Sequence, residues 1–190
     1  RKKNIFYEKR ISFKNNKFKI IRKRSNFFSK KFSKLRDGEL IEISPLSNLY
    51  LNKIFNHLNA FGGGILIFDY GPSKKKKVDT IQAIRNKKKS NFLEFPYESD
   101  ITYHVDFEDI KEKSSKFGLK AYGPITQKKF LYYNGINERF ISLIKNVQSR
   151  QKIKILESNF KRLTDPDGMG DLIKCIYISK NELDLGYFNE

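Results

Sequence analysis

The sequence contains no tryptophan, a single cysteine and only two histidines. One cysteine cannot form an intramolecular disulfide, which indicates a reducing compartment. Cys175 lies in the apolar run 172–178, and we interpret it as a small buried hydrophobe. His57 and His104 are far apart, and no His or Cys pair has the spacing of metal ligands, so no metal site is expected.

Long apolar runs are also missing. No run of about 20 apolar residues occurs, so no membrane-spanning helix is predicted. Hydrophobic residues make up 38% and aromatic residues 14% of the 190 positions, enough for one globular core or the larger part of one. The only methionine is Met169, so the sequence has no initiator. We expect it to be a fragment or a truncated product.

Acidic residues are scarce at the beginning of the chain. Residues 1–36 hold 15 Lys or Arg against the single acid Glu8, a net charge of +14, which leaves +4 of the total +18 for the remainder. This segment could bind nucleic acid or another anionic surface. Its interleaved aromatics resemble a stacking platform for single strands: Phe13, Phe18, Phe27, Phe28 and Phe32. Packing within a hairpin is the alternative, and Lys, Asn, Ile and Phe are abundant throughout, as in AT-rich coding sequence.

Three unusual phrases follow in fixed order. They are Gly-Gly-Gly-Ile-Leu-Ile-Phe-Asp-Tyr-Gly (62–71), Asp-Thr-Ile-Gln-Ala-Ile-Arg (79–85) and Asp-Ile-Thr-Tyr-His-Val-Asp-Phe (100–107). The apolar run 65–68 predicts a strand buried on both faces, and the glycines before it are expected to end a helix. Since ligands of open parallel sheets bind beyond the carboxyl ends of strands, Asp69, Tyr70 and Gly71 lie where a site is expected. The alternative for Asp69 is a turn former before Gly71-Pro72.

The local patterns predict an alternation of strands and helices. They indicate a hairpin over 4–21 that turns at Asn15-Asn16, followed by an exposed basic loop over 22–36. An irregular segment is predicted over 71–103. Between them, Ser44 is expected to cap a helix whose core-facing stripe consists of Leu46, Leu49, Ile54, Leu58 and Phe61. Asp106 is expected to cap a helix over 107–117, and Thr126 a helix over 127–133. A strand over 119–122, helices from Asn137 and up to Leu163, and a final hairpin with the Cys175 strand complete an α/β pattern.

Polar residues of the third phrase alternate along an extended segment. His104 and Asp106 are two residues apart and share one face, where the acid could orient the imidazole; Asp100 and Thr102 lie on the same face. The alternatives are a structural histidine and a helix cap. Arg85 could pair with Asp69 or Asp79, or bind an anion, and structural ion pairing is favoured.

The three phrases belong to a longer colinear series that resembles the MidA family of S-adenosylmethionine-dependent protein arginine methyltransferases, whose mitochondrial members assist assembly of respiratory complex I. The further segments that resemble the family are Tyr7-Glu8-Lys9-Arg10, Glu42-Ile43-Ser44-Pro45, Gly-Pro-Ile-Thr-Gln-Lys-Lys-Phe-Leu at 123–131, and Arg162-Leu163 with Met169-Gly170. The family's Glu-x-Gly-x-Gly loop and Asn-Glu-x-x-Asp-Ala segment have no counterpart here. The resemblance is therefore to the carboxyl-terminal half only.

This resemblance implies a fold, a function and a site. The fold is the carboxyl-terminal part of a Rossmann-like class I methyltransferase sheet with helices on both faces, in one partial domain with a basic hairpin and loop at 1–36 and a core portion at 37–190. Asp69, His104 and Asp106 are the candidate catalytic residues, and Glu42, Tyr70, Arg85, Asp100 and Thr102 are the candidate substrate-binding residues. A carboxylate is needed to hold the planar guanidinium of the substrate arginine.

The resemblance also implies partners and a compartment. The intact protein would use S-adenosylmethionine to methylate arginine on a protein such as a complex I subunit, in the bacterial cytoplasm or the mitochondrial matrix. Residues that bind the cofactor are not identified, because the glycine-rich motif is missing, and the chain alone is expected to be inactive. The alternative function is a basic nucleic-acid-binding or non-catalytic interaction module.

Overall fold

The computed structural model describes residues 5–25, 32, 35–74 and 76–188. Its strands are β1 (Tyr7–Lys14), β2 (Lys17–Arg24), β3 (Gly64–Tyr70), β4 (Gln82–Arg85), β5 (Lys88–Ser90), β6 (Asp100–Thr102), β7 (Lys120–Thr126) and β8 (Ile173–Ser179). Its helices are α1 (Pro45–Phe61), α2 (Phe107–Lys116), α3 (Gln127–Tyr133), α4 (Ile136–Lys145), α5 (Arg150–Thr164) and α6 (Met169–Leu172), followed by a 3₁₀ helix (Gly186–Phe188). The α/β class is as predicted.

The chain divides into two compact units. The first unit comprises Arg1–Ile43 and Lys76–His104, and the second unit comprises Ser44–Lys75 and Val105–Glu190. These units do not coincide with the predicted subdivision into 1–36 and 37–190. That the whole chain is one partial domain stays a prediction.

The first unit begins with the predicted hairpin. β1 and β2 pair antiparallel, from Tyr7 opposite Arg24 to Lys14 opposite Lys17. Asn15 and Asn16 form the turn with φ of 51° and 57°, a left-handed conformation that asparagine tolerates in two-residue hairpin loops. The predicted turn is thus confirmed. Most of the predicted basic loop, including Phe27 and Phe28, lies outside the described residues.

The first unit also contains a small sheet where the sequence predicted irregular structure. β4 is its central strand, paired antiparallel with β5 and with β6. The prediction for 71–103 was wrong in this part because strands of three or four residues are too short to show an alternating pattern. Asn86 and Lys87 form the β4–β5 turn with φ of 49° and 62°, and the asparagine was the available signal.

The second unit is built on an antiparallel sheet in the order β3-β8-β7. The apolar run 65–68 lies in β3, which is an edge strand of this sheet among the described residues. Leu66 and Phe68 are 43% and 41% exposed, so the prediction of a strand buried on both faces was wrong. An apolar run of four residues shows that both faces are apolar, but it cannot show which of them is covered.

One face of the sheet carries the main core. It is formed by Phe55, Leu58, Phe107, Ile110, Leu119, Ile176 and Ile178, and Ile65 and Ile67 pack against it. The stripe predicted for α1 was wrong at its ends, since Leu46 is 60% and Phe61 is 78% exposed. The packed residues Leu51, Ile54, Phe55 and Leu58 follow the i, i+3, i+4, i+7 spacing of one helix face.

The opposite face carries a second cluster of Tyr122, Ile125, Cys175 and Phe188. Phe130 of α3 packs against this cluster and meets the ring of Phe68 edge to face at 5.0 Å. Helical elements therefore cover both faces of the three-stranded sheet.

β7 and β8 pair antiparallel, but α3 to α6 lie between them in the chain, so the predicted final hairpin was wrong.

The predicted helix caps are confirmed. The side chains of Ser44, Asp106 and Thr126 accept hydrogen bonds from backbone N–H groups in the first turns of α1, α2 and α3, at 3.2, 3.0 and 3.1 Å respectively. α4 begins at Ile136, one residue before the predicted start. Within the described ranges, no helix is both long and apolar enough to cross a membrane.

Candidate functional site

The carboxyl end of β3 meets the beginning of α2 in the second unit. The backbone N–H of Val105 donates to the carbonyl oxygen of Tyr70 at 3.1 Å. Gly71 faces the same segment so closely that a Cβ placed on it would lie 2.6 Å from the Val105 carbonyl oxygen. The first and third phrases of the sequence are thus joined where β3 ends, and they bring Asp69 and Tyr70 beside the segment that leads into Asp106.

Asp69 is half-buried and partly fixed by its own backbone. Its Oδ1 accepts a hydrogen bond from the N–H of Tyr70 at 2.8 Å. No described residue donates a hydrogen bond to its Oδ2 or forms an ion pair with it. The carboxylate is therefore held in one orientation while one oxygen can accept a ligand. The hydroxyl oxygen of the neighbouring Tyr70 is buried.

Asp106 has a structural role at the start of α2. Its Oδ1 accepts from the N–H of Asp109 at 3.0 Å, which satisfies one of the unpaired donors of the first helical turn. Glu108 and Asp109 add negative charge at this end of the helix, where the helix dipole favours it. The predicted pairing of Asp106 with His104 stays a prediction.

In the first unit, Glu42 is joined to two other predicted segments. Its Oε1 accepts from the backbone N–H groups of Thr80 and Ile81 at 2.7 and 3.1 Å, and its Oε2 accepts from the hydroxyl of Thr80 at 2.5 Å. The Thr80 hydroxyl oxygen in turn accepts from the backbone N–H of His104 at 2.9 Å. The Nδ1 atom of the His104 ring is buried.

Arg85 is engaged in structural contacts within the first unit. Its guanidinium forms an ion pair with Glu98 at 2.5 Å and lies 4.0 Å from the ring centre of Phe95. The suggested partners Asp69 and Asp79 were therefore wrong. Asp79 instead pairs with Lys9.

Asp100 and Thr102 lie on one face of β6, as the two-residue spacing predicted. Asp100 is exposed, whereas the hydroxyl oxygen of Thr102 is buried and has no hydrogen-bond partner among the described residues.

The eight candidate residues are divided between the two units. Asp69, Tyr70 and Asp106 belong to the second unit, and Glu42, Arg85, Asp100, Thr102 and His104 belong to the first.

Thr80 is the residue that sequence reasoning missed. It lies in the second phrase, Asp-Thr-Ile, but only its contacts with Glu42 and His104 show what it does. The signal was a hydroxyl residue inside an unusual phrase, which does not specify a partner 38 residues away in sequence.

Neither a cysteine nucleophile nor a metal site is supported by the described residues. Cys175 is fully buried, and this burial raises the pKa of its thiol to about 12, so the thiol is neutral at physiological pH. Within the part of the chain that the structure describes, no group of His, Cys, Asp and Glu side chains could hold a metal ion.

The glycines do not form a nucleotide cradle. Gly62 ends α1, where its N–H donates to the carbonyl oxygen of Leu58 at 2.8 Å, and both Gly62 and Gly63 have positive φ, at 79° and 87°. A cradle requires a glycine turn that follows a strand and opens a helix. Gly71 does follow β3, but it packs against Val105, and the next described element is β4 and not a helix. The described glycines therefore provide no cradle of this kind for S-adenosylmethionine.

The same fold occurs in a crystal structure from Burkholderia thailandensis of a protein bound to S-adenosyl-homocysteine. The two chains superpose with a TM-score of 0.79 at 19% identity, covering 98% of this chain and 51% of that chain. The fold is thus the α/β fold of that protein.

Residues 8–125 match the family of S-adenosyl-L-methionine-dependent methyltransferases, and the chain belongs to this family. The predicted family is confirmed, and S-adenosylmethionine is the family's cofactor.

Curated relatives agree with this assignment. The mitochondrial protein arginine methyltransferase NDUFAF7 of Xenopus tropicalis is 30% identical over 134 residues, which cover 70% of this chain and 31% of that protein. The homologue of Caenorhabditis elegans is 31% identical over 131 residues, which cover 69% of this chain and 29% of that protein. The chain thus spans about a third of the length of the curated relatives it matches.

Proposed function

We propose that this chain carries the substrate side of an S-adenosylmethionine-dependent methyltransferase that modifies arginine on a protein. The family match supports the reaction class, and the names of the relatives support arginine as the acceptor. A complex I subunit in the mitochondrial matrix is the proposed substrate, because the relatives are mitochondrial and the sequence resembles the MidA family. The chain would then be the carboxyl-terminal half of the enzyme.

The observation that carries this proposal is the geometry of Asp69. An arginine substrate needs a carboxylate that fixes the plane of its guanidinium and aligns one nitrogen for methyl transfer. The bond from the Tyr70 N–H to Oδ1 sets the orientation of the Asp69 carboxylate, and Oδ2 can accept a guanidinium N–H. Among the candidate acids, Glu42 and Asp106 each accept backbone hydrogen bonds that hold the fold together.

The other candidate residues have subordinate proposed roles. Within the second unit, Asp106 is a proposed catalytic partner of Asp69, and Tyr70 is proposed to bind substrate. In the first unit, His104 keeps its proposed catalytic role, and Asp100 and Thr102 keep their proposed roles in substrate binding. The contacts of Arg85 with Glu98 and Phe95 favour a structural role over substrate binding.

Cofactor binding is proposed to depend on parts of the family's length that this chain does not span. Calorimetric titration of the 190-residue chain with S-adenosyl-homocysteine should therefore show no measurable binding. A chimera with the preceding part of the Xenopus tropicalis relative should bind it and should transfer a labelled methyl group to an arginine-containing peptide. Micromolar binding by the chain alone would place the cofactor site within it and contradict the proposal. Methyl transfer to lysine only would contradict the arginine assignment.

A second function, nucleic-acid binding, is favoured by the exposed hairpin. Every residue of β2 is exposed, and Ile11 and Phe13 are 61% and 60% exposed. The rings of Phe13 and Phe18 lie 4.8 Å apart beside the basic residues. We expect weak electrostatic binding that falls steeply with salt, because phosphate contacts release counterions.

Fluorescence anisotropy with a single-stranded oligonucleotide tests this function. Lys14→Glu with Lys17→Glu should weaken binding at low salt, whereas Lys152→Glu with Lys154→Glu, which removes the same charge from α5, should not. Binding that persists at high salt, or a clear base preference, would favour nucleic acid over protein methylation.

A further inference from the structure

Glu42, Thr80 and His104 form a chain of hydrogen bonds that joins three separate segments of the first unit. The geometry points to Glu42 as a positioning residue, which holds Thr80 and, through Thr80, the backbone of His104, and does not itself bind the substrate guanidinium. The family resemblance had implied that Glu42 binds substrate. The inference deepens the proposed function, on which it rests only for the role of His104 in the reaction.

The acceptor capacity of Glu42 is largely used within the fold. An ionised carboxylate has about four acceptor positions, and a bidentate guanidinium requires one on each oxygen. Two positions on Oε1 accept the N–H groups of Thr80 and Ile81, and one on Oε2 accepts the Thr80 hydroxyl. Since both positions of Oε1 are occupied, a forked guanidinium cannot bind both oxygens without breaking a bond to the backbone.

The direction of the hydrogen bonds is determined by the groups involved. The backbone N–H of His104 can only donate, so the hydroxyl oxygen of Thr80 must accept there. The single hydroxyl proton of Thr80 is then directed to Glu42, whose carboxylate can only accept. In a series of hydrogen bonds of this kind, each bond polarises the next. The position of the His104 backbone therefore depends on the charge of the Glu42 carboxylate.

The hydrogen-bonded series Glu42–Thr80–His104 lies where the two sequence segments of the first unit end. Glu42 is one residue from Ile43, the last residue of the first segment of the unit, and His104 is the last residue of the second segment. The hydrogen bonds therefore hold both segment ends to Thr80. They also connect the Glu-Ile-Ser-Pro segment with the second and third phrases of the sequence, which no local pattern relates.

Amide hydrogen exchange on the isolated chain tests the contacts without any activity. Glu42→Ala should speed exchange of the Thr80 and Ile81 amides between about tenfold and a hundredfold, because a charge-assisted acceptor is lost. Thr80→Val should speed exchange of the His104 amide, and Thr80→Ser should restore it. The matched control is Glu94→Ala, which removes an exposed carboxylate of the same unit and should leave these amides unchanged.

Unchanged protection of Thr80 and Ile81 in Glu42→Ala would overturn the inference. Equal exchange of the His104 amide in Thr80→Val and Thr80→Ser would also overturn it. The threonine pair keeps the test decisive if Glu42→Ala fails to fold, because valine and serine are both small substitutions at the same position.

Steady-state kinetics of the chimera with an arginine-containing peptide separate positioning from substrate binding. A positioning role predicts that Glu42→Ala and Thr80→Val both lower kcat with little change in the peptide KM, and that Thr80→Ser recovers kcat. A guanidinium ligand would instead raise KM in Glu42→Ala alone and leave Thr80→Val like the parent. Loss of all methyl transfer by the parent chimera would contradict the proposed function, while the exchange experiment would still decide the role of Glu42.

Discussion

The backbone N–H of Val105 donates to the carbonyl oxygen of Tyr70 at 3.1 Å, which joins the end of β3 to the residue before the cap of α2. Gly71 lies against the same backbone, where a Cβ would come 2.6 Å from the Val105 carbonyl oxygen. The absence of a side chain at Gly71 therefore allows the two segments to approach. Asp69 owes its place beside this junction to a backbone contact between residues that are distant in sequence.

Gly71→Ala should destabilise the second unit by about 1–3 kcal/mol, because the added methyl group must displace backbone. The matched control is Gly186→Ala, since the nearest atom to a Cβ there is Asp184 Oδ1 at 4.0 Å. Urea unfolding monitored by circular dichroism measures both changes. Equal stability of the two variants would show that the junction can relax at little cost.

Asp69→Asn should keep the fold and lower methyl transfer by the chimera, since the substitution preserves shape and removes the charge that would bind guanidinium. The amide oxygen can still accept from the N–H of Tyr70, so unfolding curves should match those of the parent within about 0.5 kcal/mol. Turnover of labelled S-adenosylmethionine is the measurement. Unchanged turnover would reduce Asp69 to a turn residue.

Ile67→Asp should lower the free energy of unfolding by about 2–4 kcal/mol. Ile67 packs against the main core, and the introduced carboxylate would have no partner there. Leu66→Asp, one residue away and 43% exposed, should cost about 1 kcal/mol or less in the isolated chain. Thermal or urea unfolding distinguishes them. A larger loss from Leu66→Asp would mean that its face is the covered one.

Glu39 should make stability depend on pH in the acid range. The hydrogen bond from the backbone N–H of Arg36, with smaller contributions from Lys77 and the Arg36 side chain, lowers the pKa of Glu39 from 4.5 to about 2. A folded pKa below the unfolded one stabilises the folded state above pH 4.5, and this contribution is lost as the pH falls from 4.5 towards 2. The stability difference between the parent and Glu39→Gln should therefore shrink between about pH 7 and about pH 2.5. A constant difference would contradict the shift.

Cys175 should resist thiol reagents in the folded chain. Burial raises its pKa to about 12, so almost no thiolate exists at about pH 8, and the side chain is not accessible. Labelling with a disulfide reagent should be slow in buffer and fast in urea. Similar rates in the two conditions would show that the second cluster opens readily.

Short-range features were predictable because their hydrogen bonds connect neighbours in sequence. Ser44, Asp106 and Thr126 each bind an N–H three residues later, and the Asn15-Asn16 turn closes a two-residue loop. Residue type alone is enough to indicate such caps and turns. The colinear phrases likewise indicated the family, because such a resemblance depends only on the identity and order of residues.

The face that each element buries was less predictable. For α1, the apolar residues Leu46, Leu49 and Phe61 looked like part of a core stripe, yet they are exposed. A helix with apolar residues on more than one side packs the side that meets its neighbours, here α2 and the sheet. The same holds for β3, where Ile67 packs in the core and Leu66 faces outwards.

By itself, the sequence determined the α/β class, the caps, the hairpin turn and the family, since each depends on residue identities at short or fixed spacing. Only the tertiary structure decided which hydrogen-bond partners the candidate acids have. Asp69 keeps an oxygen that accepts no hydrogen bond from a described residue, whereas Glu42 is bound to Thr80, 38 residues away, and through it to His104. Those contacts depend on how strands and loops from distant parts of the chain come together, and no local pattern encodes that arrangement.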